Sequence, residues 1–385
     1  MSGQRIKLYH IITGLDTGGA EMMLYKLLSR IDRKAFDVEV ISLTDIGPIG
    51  QRIQGLNVPV RALGMRRGIP SASHIMRLAG WLRQGRPRIV QTWMYHADLA
   101  GGLAGRLAGH TCIAWNIRQS DLIAYSSKRS TIWTIKTCAH LSRRVPARIV
   151  CCSHASERVH TALGYAAEKM VVIPNGFDLS AYHPDPVARL SVRQELGLPE
   201  DTPLIGLVGR FHPQKDHQTF VQAVALLRAR LPDVHFVLCG DGIDSKNPQL
   251  AGWIEAAGVG DRCHLLGRRS DIPRISAALD ILASSSAFGE GFPNVVGEAM
   301  ACGVPCVVTD VGDSALIVGE TGKIVPIRCP ERLAAAWGEL IEAGPETRAR
   351  LGRSARCRVE EHFSLPNVTR RYEQFYEELA GLCAD

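Results

Sequence analysis

The side chains best suited to chemistry are two glutamates in the stretch Gly289–Asp310, which reads GEGFPNVVGEAMACGVPCVVTD. Glu290 and Glu298 stand eight positions apart; a Gly291-Phe292-Pro293-Asn294 turn follows the first and an apolar helix carries the second. Val295, Val296, Ala299 and Met300 repeat at helical spacing and are expected to face a core, with Asn294 as the helix cap. Glu298 then lies off that stripe in the first turns. There the helix dipole favours a carboxylate, and its lone pairs suit two vicinal hydroxyls. The amides near Phe292 to Val295 have no intrahelical partner, so that helix end is an anion site. Glu290, on the loop before it, is placed to reach a sugar beyond the phosphates. Carboxylates for hydroxyls and bare amides for phosphates describe a holder for a sugar nucleotide. The plain alternative is two solvated glutamates flanking an ordinary helix.

A positive counterpart lies upstream in Gly209-Arg210-Phe211-His212-Pro213-Gln214-Lys215, after an apolar run from Leu204. Gly209 at a strand end lets a ligand approach the backbone. Lys215 falls near a helix start, a poor place for a purely structural cation and a good one with an anion in between. Arg210 offers a planar fork suited to a diphosphate. Gly240-Asp241-Gly242 follows the next strand, and Gly267-Arg268 is a neighbour for a nucleotide base; turn chemistry explains both equally well. Near the N-terminus, Gly18 and Gly19 open a helix with bare amides. That loop raises a dinucleotide-binding rival. The rival fails because no Gly-x-Gly-x-x-Gly run is present and Ser42-Leu43-Thr44 ends the second strand without a ribose-binding acid.

The Glu290–Glu298 segment resembles the signature of retaining glycosyltransferases of family 4, which have the GT-B fold. The resemblance implies that Glu298 holds the ribose, Glu290 the donor sugar, and that Arg210 and Lys215 neutralise the donor diphosphate. Gly18-Gly19-Ala20-Glu21 resembles the Gly-Gly-Ala-Glu element of many members, which borders the donor phosphates and the acceptor. PNGFDLSAYHP, from Pro174, resembles the family's linker. Many members carry a histidine after the strand near residue 115. Here Asn116 and Arg118 are the nearest candidates, in a Trp-Asn-Ile-Arg variant similar to one subgroup acting on bacterial surface polysaccharides, and His96 is a second acceptor-side candidate or a simple helix cap.

These residues need a frame that delivers strand ends to one edge. Strand-like and helix-like runs alternate nearly throughout, which argues for an α/β protein with parallel sheets. Strands are expected at Ile6 to Ile12, Val38 to Leu43, Ile89 to Thr92, Cys112 to Trp115, Ile149 to Cys152, Met170 to Ile173, Leu204 to Val208 and Val234 to Cys239. The stretch with Pro184, Asp185, Pro186 and Pro199 reads as turn and linker chemistry. The expectation is GT-B: two Rossmann-like, doubly wound parallel-sheet domains facing a central cleft. They comprise an acceptor domain over residues 1–180 and a nucleotide-sugar domain over 181–364, with a final helix over 365–385 crossing back to the first domain.

A chain of 385 residues is too long for one compact core. No apolar run approaches the roughly twenty residues of a transmembrane helix, and MSGQRIKLYHIITG reads as a first strand rather than a secretory leader. Eleven cysteines with no Cys-x-x-Cys pair argue for reduced thiols in a cytoplasmic protein without structural zinc. The net charge of +7 is concentrated in the first half, at Arg61, Arg66, Arg67, Arg77, Arg83, Arg86 and Arg88. A second basic run spans Lys128, Lys136, Arg143, Arg144 and Arg148, with Ile132, Trp133 and Ile135 interleaved. Two readings stand for it: peripheral contact with an anionic membrane at its inner face, or a solvated helix face over a core. Nucleic acid is disfavoured for want of a recognised module.

The expected function is transfer of a sugar from a nucleotide-diphosphate sugar, UDP-type rather than GDP-type, to a saccharide or lipid-linked saccharide acceptor in envelope polysaccharide synthesis. No metal or further cofactor is expected, because cationic side chains can neutralise the leaving diphosphate. An NDP-sugar epimerase and a non-catalytic scaffold are the alternatives.

Overall fold

The computed structural model describes residues 5–66, 71–110, 112–120 and 129–383. Arg67 and Lys128, named above for their charge, lie outside them. The chain divides into two units, Met1–Gly176 with Leu365–Asp385, and Phe177–Ser364. The boundary thus falls four residues before the expected 180, and the final helix belongs to the first unit.

The first unit carries strands β1 (Ile6–Ile12), β2 (Phe36–Ser42), β3 (Val60–Ala62), β4 (Ile89–Trp93), β5 (Ile113–Ile117), β6 (Arg148–Cys151) and β7 (Met170–Val172). They form a parallel sheet in the order β3-β2-β1-β4-β5-β6-β7. The second unit carries β8 (Leu204–Val208), β9 (His235–Cys239), β10 (Cys263–Leu265), β11 (Ile281–Ser284), β12 (Cys306–Thr309) and β13 (Lys323–Val325). Its order is β10-β9-β8-β11-β12-β13, again parallel. Each sheet runs outward from its first strand in one direction and then reverses, so β1/β4 and β8/β11 are switch points, where ligands of such sheets bind.

Both faces of each sheet are covered, which explains why the strands read as continuous apolar runs. Along β1, Leu8 and Ile12 enter one core and Tyr9 and Ile11 the other; along β8, Leu204 and Val208 alternate in the same way with Ile205 and Leu207. The final helix, Leu365–Leu382, presents Leu365, Val368, Tyr372, Phe375, Tyr376 and Leu379 on one stripe, all buried in the core under β1.

Pro186–Glu195, expected as linker, is a helix. Asp185 accepts the Ala188 amide at its start, and Pro186 sits in the first turn, where no amide partner is needed. The same prolines that punctuate a loop thus also open a helix. The β11-to-β12 crossover helix, Asn294–Ala301, also differs at its start. Pro293 occupies the cap position in an extended conformation without a side-chain acceptor, and Asn294 is the first helical residue rather than the cap.

That helix is held by a close approach. A Cβ on Gly297 would overlap the ring of Phe177, which stacks on Phe292 at 6.0 Å between centroids. Gly297→Ala is therefore expected to destabilise the second unit by about 1–3 kcal/mol through overpacking. The midpoint of urea unfolding should fall; an unchanged midpoint would show that the ring has room to move.

Candidate active site

In the second unit the chain leaves β8 through Gly209–Lys215 and leaves β11 through Ser285–Glu290, two loops at neighbouring strand ends. They are stitched together. The Ala287 amide donates to the Gln214 carbonyl at 2.8 Å, and Ser285 Oγ donates to the Lys215 carbonyl at 2.8 Å. Thr309 Oγ1, from the end of β12, donates to the Ser286 carbonyl at 2.6 Å. On that support Lys215 Nζ meets Glu290 Oε1 at 2.6 Å, and Ser286 Oγ donates to the same oxygen at 2.8 Å. Glu290 is only 9% exposed, so a carboxylate that would ordinarily sit in water is kept inside by one cation and one hydroxyl. The chain turns from Lys215 into its helix through Asp216. With a left-handed φ of 47°, Asp216 caps the helix by accepting the Thr219 amide at 3.2 Å.

Gly240 belongs to the same group of loops. A Cβ there would overlap the Gly209 carbonyl, so the two strand ends can meet only with glycine. The Phe211 amide donates to Asp241 O at 2.7 Å, and the Gly240 amide to Gly267 O at 2.9 Å. Arg210 and Arg268 are exposed on these loops, and neither makes an ion pair among the described residues. Gly291 is tied to Asp313, whose amide it accepts at 3.0 Å, and Phe292 is buried in the core. Val295 is half-buried and follows the uncapped helix start.

Glu298, one turn into that helix, is half-buried. Its carboxylate accepts the hydroxyl proton of Tyr182; burial first, then this charge and hydrogen bond, hold the Tyr182 phenol far above its usual range. Tyr182 lies in the segment that opens the second unit, and the motif reading passed over it. So did Ser286, although the run Ser284-Ser285-Ser286 before the glutamate is a visible sign of a hydrogen-bonded loop.

In the first unit a cavity of about 430 Å³ opens at the β1/β4 switch, with Asp16, Glu21, Arg66, His96, Gln119 and Thr131 in its lining. His96 is half-buried, and desolvation pushes its imidazole below the usual value, towards the neutral form. Beside it, Met94 takes a φ of 74°, a strained conformation for a residue with a side chain. Gly18 caps the helix Gly19–Leu28 in an extended conformation, but that helix end is not bare. The Glu21 carboxylate folds back over Gly18 and accepts its own backbone amide; burial raises its pKa.

Asn116 does not reach this cavity. It is 0% exposed and gives its amide to the Tyr372 hydroxyl at 3.3 Å. Arg118 donates to the same hydroxyl at 3.1 Å and to the Asn175 side chain, and lies over Trp93 at 5.4 Å. The final helix therefore occupies the groups that strand-end position marked for an acceptor. All eleven cysteines are unpaired and most are buried. Among the described residues no cluster of His, Cys, Asp or Glu is spaced to hold a metal ion.

Comparison with known proteins accounts for both halves. Residues 17–181 match the family model described as Glycosyltransferase Family 4, and residues 202–343 the model described as Glycosyl transferases group 1. The chain is 26% identical over 328 residues to the UDP-Gal:alpha-D-GlcNAc-diphosphoundecaprenol alpha-1,3-galactosyltransferase of Escherichia coli, covering 82% of each chain. It is also 26% identical over 337 residues to the lipopolysaccharide core biosynthesis mannosyltransferase LpsB of Rhizobium meliloti, covering 86% of this chain and 91% of that one. In fold it resembles Anabaena Alr3699/HepE, crystallised with UDP, at a TM-score of 0.84 and 22% identity over 97% of this chain and 100% of that one.

Proposed function

Because the chain belongs to the family 4 glycosyltransferases of GT-B fold, we propose that it transfers a sugar, with retention of anomeric configuration, from a UDP-type donor to a saccharide or lipid-linked saccharide acceptor in envelope polysaccharide assembly. The observation that carries this is the Lys215–Glu290 contact at the β8/β11 switch point. A cation and a carboxylate in hydrogen-bond contact are the two groups that a diphosphate and the sugar attached to it require side by side.

In this reading the diphosphate draws the Lys215 ammonium and the unengaged Arg210 guanidinium onto its oxygens, with the uncapped start of Asn294–Ala301 as a third donor. As the bond from the anomeric carbon to the phosphate oxygen breaks, negative charge gathers on the leaving diphosphate and these groups stabilise it. Glu290, held by Ser286, accepts sugar hydroxyls and faces the positive charge that develops on the ring. The acceptor oxygen bonds the anomeric carbon from the face the phosphate leaves, and its proton passes to the departing phosphate oxygen. Neutralisation by cationic side chains requires no metal in this scheme. Glu298 holds the ribose, oriented by Tyr182. Tyr182→Phe should raise the donor KM about 3–10-fold, the net worth of one ordinary hydrogen bond, with kcat within a factor of two. A wild-type KM would mean that Glu298 needs no such guide.

The first unit supports the acceptor side. Ser130 and Thr131, which line the 430 Å³ cavity, lie on the helix Arg129–Leu141. On that helix Arg129, Trp133, Lys136 and His140 form one exposed stripe, and Trp133 is 52% exposed. Ile135, interleaved with these basic residues in the chain, turns into the core. A basic stripe with one large aromatic fits the headgroup layer of an anionic membrane, which would present a lipid-linked acceptor beside the cavity. No described helix is long and apolar enough to cross a membrane. The proposed location is the cytoplasm, peripheral to the inner membrane face. Among the relatives, the name of the Escherichia coli enzyme carries a UDP donor and a diphosphoundecaprenol-linked acceptor.

The test is a donor screen. UDP-glucose, UDP-galactose, UDP-N-acetylglucosamine and GDP-mannose are incubated with the protein, with and without anionic vesicles carrying a polyprenyl-diphosphate saccharide, and released nucleotide is measured. Release of UDP that increases with acceptor is expected. Turnover of GDP-mannose alone would overturn the UDP assignment. A changed sugar without nucleotide release would favour an epimerase, and binding without turnover a scaffold.

A further inference from the structure

The eleven free thiols differ in what they can meet. Cys151 and Cys152 are consecutive, and Cys302 lies near Cys306, but all four are buried away from an oxidant in solution. Cys357 is exposed. Among the described residues one pair joins a thiol that reaches solvent to a buried thiol in contact with it. Cys383 is half-buried and follows the last helix, and Cys112 is 4% exposed at the entry to β5.

Several contacts place these two sulfurs together. The Cys112 thiol donates to the Leu379 carbonyl at 3.3 Å, and the Cys383 amide donates to the same oxygen at 3.2 Å. The two side chains are in hydrogen-bond contact with each other, and Cys383 packs on the core to which Cys112 belongs. Arg88 Nη2 donates to the Ala380 carbonyl at 2.5 Å, in the same turn, so a fixed positive charge stands beside the pair. Such a charge favours the thiolate, which is the reactive form. Burial first, then the neighbouring Cys383 thiol, holds the Cys112 thiol above its usual range. Cys383 is therefore the member that an oxidant meets first.

A free cysteine can serve as a small apolar filler, and that accounts for Cys112 alone. It does not account for a second thiol in hydrogen-bond contact with the first, half in solvent and beside a guanidinium. The two residues lie far apart in the chain and meet only because the last helix belongs to the first unit.

We infer that Cys112 and Cys383 form a modification site, which a peroxide converts to a reversible disulfide fastening the end of the last helix to the start of β5. In the first step the Cys383 sulfur attacks one peroxide oxygen and the O–O bond breaks. The sulfur is oxidised to a sulfenic acid, and the peroxide is reduced to water. In the second step the Cys112 sulfur attacks the Cys383 sulfur and the S–O bond breaks. The hydroxyl leaves with the Cys112 proton as a second water. The Leu379 carbonyl keeps the Cys383 amide when it loses the Cys112 thiol. A dithiol reverses the bond by exchange, so both thiols are reduced at rest in a reducing compartment. The same helix carries Tyr372, the partner of Asn116 and Arg118, and the bond secures that arrangement. The inference does not depend on the transfer reaction.

The test uses the full chain, reduced, freed of reductant and exposed to hydrogen peroxide. Remaining thiols are blocked with N-ethylmaleimide in urea, and tryptic peptides are mapped without reduction. Cleavage after Arg106, Arg118 and Arg371 leaves each cysteine alone in its peptide, residues 107–118 and 372–385. The expected product is a cross-link between these two peptides that dithiothreitol removes. It should be absent from Cys383→Ser and unchanged in Cys357→Ser. In Cys112→Ala the sulfenic acid on Cys383 has no thiol to meet, so its dimedone adduct should increase about ten-fold over wild type. If Cys112→Ala loses its thermal transition, Cys383→Ser carries the test, because it alters only a half-buried side chain at a helix end. No cross-link in wild type at a peroxide concentration that oxidises Cys357 would overturn the inference. So would an equal yield from urea-unfolded protein, or equal dimedone adducts in wild type and Cys112→Ala.

Discussion

Lys215→Ala is expected to lower sugar transfer by about 10²–10³-fold, the cost of removing one preorganised donor from developing negative charge. Lys215 reaches Glu290 at 2.6 Å from a loop that Ser285 and Ala287 fasten to the sheet edge, so its position is set before substrate arrives. Arg210 is exposed and unengaged, and its longer, freer side chain cannot replace an ammonium already in place. The substitution also strips the counter-charge from a carboxylate that is 9% exposed, so some stability is lost with the activity. Lys215→Met with Glu290→Gln removes both charges together and separates the two effects. It should unfold near the wild-type temperature and remain inactive. Steady-state transfer rates and a thermal scan of the single and double variants decide the matter.

Glu290→Ala should cost at least about 10²-fold in kcat while leaving UDP affinity within a few-fold of wild type. The diphosphate contacts lie on Lys215, Arg210 and the helix start, whereas Glu290 faces the sugar in the proposed geometry. Glu290→Gln keeps an oxygen for the Ser286 hydroxyl but loses the charge, so its kcat reports the electrostatic share. Calorimetric titration with UDP and single-turnover transfer distinguish binding from chemistry. Near-wild-type transfer by both Lys215→Ala and Glu290→Ala would refute the roles assigned to the pair.

Glu290 and Asn116 show how differently a local motif and a strand-end position constrain a side chain. Glu290 lies in a loop whose glycines, proline and following helix are consecutive in the chain, so local chemistry announces a binding loop. Asn116 was marked by its position at a strand end. Whether that end is open depends on what packs over it, and Tyr372, 256 residues away, takes its amide. Glu21 is similar. Two glycines at a helix start promise bare amides, yet the Glu21 side chain turns back over Gly18 and takes its own amide.

The chain alone determined what is settled within a few residues of itself. It set most strand positions, the apolar stripe of the last helix from Leu365 to Leu382, and the glycines that let loops turn at Gly209 and Gly240. These follow from backbone dihedrals and hydrophobic period, which are short-range. Folding decided the rest: that Lys215 meets Glu290 across 75 residues, and that Tyr182 engages Glu298. Those meetings arise because β11 pairs with β8 rather than with β10, its predecessor in the chain. Strand order is selected by the packing of whole faces, a sum over many distant residues that no short stretch contains.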